Sequence, residues 1–101
     1  MRVAFTPEAM SDLVETASYI AEESPKSARH VAAALRARAQ DLASMAERFQ
    51  VIGQRTGHMI RRRVHGSYAI FYYVESTART VIIARILHSA RDHERILFPE
   101  D

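Results

Sequence analysis

The chain has 101 residues, of which 48% are hydrophobic and 26% charged, with 14 Lys plus Arg against 12 Asp plus Glu and no cysteine. That length bounds it to one compact domain, and the apolar share excludes intrinsic disorder along most of it. The missing cysteines exclude disulfide staples, thiol catalysis and the usual zinc-finger ligand sets.

No run of about 18 apolar residues occurs, and the start Met1-Arg2-Val3-Ala4-Phe5-Thr6-Pro7 lacks the apolar stretch and cleavage site of a leader, so the expected compartment is the cytoplasm. The charge is unevenly placed: residues 1–50 carry six basic and seven acidic groups, residues 51–95 eight and three. Thirteen of the basic residues are arginine and only Lys26 is lysine.

Arg2 to Phe5 reads as a short strand ending at Thr6-Pro7, where Thr6 suits a helix N-cap and Pro7 the first helical position. Met10, Leu13, Val14, Ala17, Ile20 and Ala21 then recur at helical spacing, with Glu8, Asp12, Glu15, Glu22 and Glu23 on other faces. Ser24-Pro25 repeats the cap-plus-proline signal. Beyond it Ala28, Val31, Leu35, Ala39, Leu42 and Met45 mark a second stripe in an alanine-rich helix. So short a joint predicts an antiparallel helical hairpin over about 7–46, with Leu13, Val14, Leu35 and Leu42 as core.

From Glu47 to His58 the periodicity lapses, and the stretch reads as a loop. Met59 to His65, Gly66-Ser67 and Tyr68 to Val74 read as a hairpin, and after the polar turn Glu75 to Arg79 the run Thr80 to Leu87 reads as a third strand. A two-residue turn at Gly66-Ser67 sets His65 opposite Tyr68, Arg63 opposite Ile70 and Arg61 opposite Tyr72. The expected fold is α+β in the order β-α-α-β-β-β, the hairpin lying on a twisted antiparallel sheet whose C-terminal three strands span about 59–88. The tail 89–101 is expected as a turn and extension, with Ile96-Leu97-Phe98 an exposed apolar tip unless it docks.

Strand alternation puts Arg61 and Arg63 on one face, where with His65 they suit nucleic acid or an acidic protein. The same arginines also read as the solvated charges of an edge strand. Arg85 interrupts an apolar run and must reach solvent, a carboxylate or a partner. His88, Arg91, Asp92 and His93 resemble a proton-transfer group, yet no spacing fixes an acid-base pair, and Asp92 equally suits a salt bridge to Arg91 or Arg95. The five histidines lack metal-ligand spacing, no glycine-rich phosphate loop occurs, and neither metal nor cofactor is expected.

Several phrases together resemble the RelE/ParE superfamily of type II toxin-antitoxin toxins: Pro7-Glu8-Ala9, Asp12-Leu13, Tyr19-Ile20-Ala21, Pro25 and Ala28, the strand Gly66 to Val74, and above all Arg85-Ile86-Leu87-His88-Ser89-Ala90-Arg91-Asp92. The resemblance covers nearly the whole chain and implies that fold. It also implies an acidic, ParD-like antitoxin that wraps the toxin, with Ile96, Leu97 and Phe98 as antitoxin contacts and a hetero-oligomer as the resting state; neither a membrane nor a small-molecule substrate is implied.

Two branches of the superfamily differ in target. RelE-like toxins cleave messenger RNA on the ribosome with lysines, arginines and a C-terminal tyrosine. Here Lys26 opens a helix, Ala69 stands where the nuclease motif has an arginine, Leu97 stands near the expected tyrosine, and only Arg91 matches. The resemblance thus leans to the ParE-like branch, which poisons DNA gyrase by binding and without catalysis, with Arg61, Arg63, Arg85, His88 and Arg91 as target contacts. The alternative is an mRNA endoribonuclease using those arginines with His65 or His88 as base; arginine, with a pKa above about 12, is a poor proton acceptor.

Overall fold

A computed structural model describes residues 1–99. In chain order the elements are β1 (Arg2–Phe5), α1 (Pro7–Ala21), α2 (Pro25–Gln40), α3 (Leu42–Met45), β2 (Gln50–Arg55), β3 (His58–His65), β4 (Tyr68–Glu75), β5 (Thr80–His88) and α4 (His93–Leu97). Both predicted caps form. The Thr6 side chain accepts from the Ala9 N–H at 3.0 Å and the Ser24 side chain from the Ser27 N–H at 3.1 Å, each ahead of a proline in the first turn.

The strands form one five-stranded sheet ordered β1-β5-β4-β3-β2. The predicted β3–β4 register is the one found: His65 faces Tyr68, Arg63 faces Ile70 and Arg61 faces Tyr72. Gly66, first residue of the two-residue turn, has φ +60°, the left-handed conformation that such a hairpin needs and that glycine adopts without strain.

Four expectations need correction. The stretch 47–58 is no simple loop: Gln50–Arg55 forms β2, a strand pairing with β3. Its irregular register between Val51 and Gly53 breaks the alternation by which strands are recognised, which hides it in the sequence. β3 is accordingly an inner strand and not an edge. The sheet is mixed rather than antiparallel, because β1 joins β5 in parallel, with Val3 opposite Val81 and Phe5 opposite Ile83. The tail holds the short helix α4.

The sheet is buried on both faces. On one, Leu13, Leu35, Ala39 and Leu42 from the helices pack with Ile70, Tyr72, Val81, Ile83 and Ile86. On the other, Leu97 lies among Ile60, Ala69, Phe71 and Leu87, with Ile52, Tyr73, Ile96 and Phe98 around them. Val14, expected in the core, is 63% exposed: α1 buries Ala9, Asp12 and Leu13 against β5 and α2, and Val14 falls just outside that arc.

Of the two courses open to the tip Ile96-Leu97-Phe98, the chain takes docking, with Leu97 fully buried in its own second core. Phe98 lies so close to Gly53 that a Cβ there would come within 2.8 Å of its ring, so β2 carries its glycine where α4 docks.

Candidate functional site

β1 ends at Phe5, leaving the later part of β5 without a strand neighbour on that side. Thr6 and Asp12 take over the role. The Thr6 N–H donates to the Ile83 carbonyl at 3.0 Å, and the Thr6 hydroxyl donates to the Ala84 carbonyl at 2.8 Å, where two β5 residues oppose one of β4. One turn into α1, the Asp12 carboxylate accepts from Arg85 Nε at 2.8 Å, from Arg85 Nη2 at 2.9 Å and from the Ile86 backbone N–H at 2.9 Å.

Asp12 is buried and Arg85 mostly so, and the hydrogen bond to Asp12 raises the guanidinium pKa above its ordinary value despite burial acting the other way. Such a bidentate pair satisfies the charge that interrupts the apolar run. Of the three outcomes open to Arg85, solvent, a carboxylate or a partner, the chain takes the carboxylate: the guanidinium is committed to Asp12 and pins α1 to the sheet edge.

Arg61 and Arg63 share a face, as strand alternation requires, but the face is the one covered by the helices. Arg61 Nη1 donates to the Phe49 carbonyl at 2.7 Å and the Glu47 carbonyl at 3.1 Å. Arg63 Nη1 donates to the Arg38 carbonyl at 2.9 Å near the end of α2, and its guanidinium lies 4.9 Å from the Phe49 ring centre. Arg63 thus satisfies a carbonyl in the last turn of α2, the task a C-terminal cap otherwise performs, and Arg61 fastens the connection between α3 and β2. Tyr72, between them, is fully buried, donates its hydroxyl to the Ala46 carbonyl, and has its pKa pushed up to about 12 by burial. The expected face of guanidinium, imidazole and phenol groups is therefore a structural layer on its inner side.

His88 and Arg91 are brought together elsewhere, at the rim of a groove of about 360 Å³ between α1 and the end of β5, lined also by Glu15, Thr16, Tyr19 and Tyr68. The sheet register places His88 opposite Tyr68, with the rings edge-on at 5.2 Å. The Ala90 N–H donates to His88 Nδ1 at 3.0 Å. Because Nδ1 is the acceptor, the neutral ring carries its proton on Nε2 and offers the groove a donor.

The turn is held by Ser89 N–H donating to the Ser67 carbonyl at 2.8 Å and Arg91 N–H donating to the His88 carbonyl at 3.0 Å, while the Arg91 side chain is exposed. His65, in the hairpin beside Tyr68, does not line the groove.

No motif in the sequence marks Glu15, Tyr19 or Tyr68 as site residues, yet all three line the groove. Tyr19 is 72% exposed, and its sequence signal is an aromatic standing off the apolar stripe of α1. Among the described residues no group of three or more His, Cys, Asp or Glu is arranged to hold a metal ion, and no helix is long and apolar enough to cross a membrane.

The groove can dock a segment offering hydrogen-bond acceptors to His88 and Arg91 and an apolar or aromatic surface to the tyrosines. Known proteins narrow what kind of molecule carries it. The chain is similar in structure to the chromosomal ParDE toxin-antitoxin system from P. aeruginosa, with a TM-score of 0.70 at 17% identity over 87% of this chain and 95% of that one. It is also similar to the toxin-antitoxin complex RelBE2 from Mycobacterium tuberculosis, with a TM-score of 0.59 at 28% identity over 89% of this chain and 92% of that one.

No curated protein matches it in sequence. The family described as ParE toxin of type II toxin-antitoxin system, parDE, matches residues 3–93, from β1 to the start of α4. The chain belongs to the ParE toxin family of type II toxin-antitoxin systems.

Proposed function

We propose that this toxin acts as a binding inhibitor of DNA gyrase, held silent by a cognate ParD-like antitoxin, and that the α1–β5 groove with His88 and Arg91 is its target contact. The observation that carries the reading is where the arginines are spent. Of the residues expected as target contacts, Arg85 is tied to Asp12 and Arg61 and Arg63 to backbone carbonyls, which leaves the exposed Arg91 guanidinium beside the His88 imidazole, a donor through Nε2.

A ribonuclease needs several cations converging on one phosphate together with a proton acceptor. Ala69 and Leu97, standing where the nuclease branch places polar groups, are buried in the second core. An antitoxin partner is supported by both similar structures, which are toxin-antitoxin complexes. The basic surplus of residues 51–95 suits an acidic partner.

The test is purified toxin in two assays side by side: gyrase supercoiling of plasmid, and translation of a reporter message whose RNA is mapped for cuts. Lost supercoiling with accumulated cleaved DNA and intact message is the expected result. Cut message with normal supercoiling overturns it in favour of a ribosome-dependent endoribonuclease. Replacing Arg91 by Ala should weaken gyrase inhibition about tenfold or more while circular dichroism and melting stay those of the parent, since the side chain is exposed.

A further inference from the structure

The helix α2 carries Lys26, Arg29, His30, Arg36 and Arg38 and not one acidic residue over Pro25–Gln40. Arg38 is paired with Asp41 at 3.0 Å. Lys26, Arg29, His30 and Arg36 are exposed, and among the described residues none of them takes part in an ion pair. Lys26 and Arg29 stand three apart, a spacing at which like charges repel, and no helical carboxylate relieves them. Exposed acidic residues run instead along α1, where Glu8 and Glu15, with Glu22 at the C-cap, recur every seven residues. The two helices thus present opposite charge, and neither the fold nor the groove uses the basic one.

We propose that the exposed face of α2 is a binding surface for the phosphate backbone of duplex DNA, read without regard to base sequence. Lys26 to Arg36 extends about 15 Å along the helix at 1.5 Å per residue, a length over which a duplex presents about nine phosphate charges. The exposed positions between the cations are short, Ala33 and Ala37, so a backbone can come close to the helix.

The face has no exposed aromatic on which unpaired bases stack, which sets single strands aside. It has no aromatic or large apolar anchor of the kind protein interfaces rely on. A membrane surface is equally unsuited, because the apolar side of α2, with Leu35 and Ala39, is already buried in the first core. The inference does not depend on the target: the binding measured is that of toxin to DNA alone, and it stands or falls whichever enzyme the groove engages.

The experiment is fluorescence anisotropy of the full chain with a labelled DNA duplex of mixed sequence, titrated at low and moderate salt. Three neutralised phosphates give a slope of about −2.7 in log affinity against log salt, which is about a 40-fold loss between 50 and 200 mM. The triple variant K26A/R29A/R36A keeps helix-favouring residues and should flatten that slope and weaken binding at least tenfold at the lower salt. The single variant R36A should lower the slope by about 0.9.

A scrambled duplex should bind as well as the first. Parent-like affinity and slope in the triple variant, with native circular dichroism, overturns the proposal; so does equal or tighter binding of the single strand or of an RNA duplex of the same sequence. Should the triple variant fold poorly, an unchanged slope in R36A overturns it alone.

Discussion

The two faces of the sheet are buried by unequal means. One lies under α1, α2 and α3, whose Leu13, Leu35 and Leu42 meet Ile70, Tyr72, Val81, Ile83 and Ile86. The other is closed by five-residue α4 and the Phe98 ring, with Leu97 as its one fully buried helical side chain. The first is a hydrophobic core in the ordinary sense, redundant and spread over many contacts. The second depends on a few side chains fitting a few places, and it lies beside the segment that carries His88 and Arg91. The groove thus has one rigid wall, α1 clamped through Asp12, while the α4 side of the sheet, outside the groove, should open at lower cost.

The sharpest way to break the rigid wall is Asp12→Ala, which leaves the Arg85 charge and the Ile86 N–H without their acceptor. A loss of about 3 to 5 kcal/mol in urea unfolding is expected. Leu35→Ala should cost about 2 to 5 kcal/mol from burial lost and cavity left, lowering the melting temperature without altering groove chemistry. Leu97→Ala is expected at the low end of the same range, because a small helix can settle into the space. Its effect should be local, with hydrogen exchange rising in β2 and α4 before the global transition.

Tyr72 tests the first face by pH. Its pKa is pushed up to about 12 by burial, while the unfolded chain titrates near 10. The native state therefore keeps its proton where the unfolded state loses it. Stability is full below about pH 10 and falls between about 10 and 12, by roughly 2 kcal/mol. Tyr72→Phe should remove that part of the pH dependence, and an unchanged alkaline slope in the urea midpoint would refute the assignment. The smallest effect expected is from Gly53→Ala, which forces the Phe98 ring to shift and should cost about 1 to 2 kcal/mol.

Much of the helix-covered half was legible in the residues. Thr6-Pro7 and Ser24-Pro25 announce their helices because capping is local, and the Gly66-Ser67 turn sets the β3–β4 pairing because a two-residue loop leaves little freedom in register. The second face was not legible. β2 carries an irregular register and mixed exposure, and α4 is too short to show a period. Val14 misled because the apolar stripe of α1 is wider than the arc it buries. Of the site, His88 and Arg91 were found by resemblance, whereas Glu15 and Tyr19 join them only because α1 lies along β5.

Arg85 shows the division most plainly. Local chemistry required that a guanidinium in an apolar run find solvent, a carboxylate or a partner, and the sequence by itself determined that much, together with the caps, the helical periods and the hairpin turn. Each of these acts over a few residues, where geometry leaves few choices. The tertiary structure alone decided that the carboxylate is Asp12, that β1 runs parallel to β5, and that Leu97 closes the second face. Those pairings join residues far apart in the chain, and they are settled by which surfaces remain to be buried and which backbone edges remain unpaired once the local elements have formed.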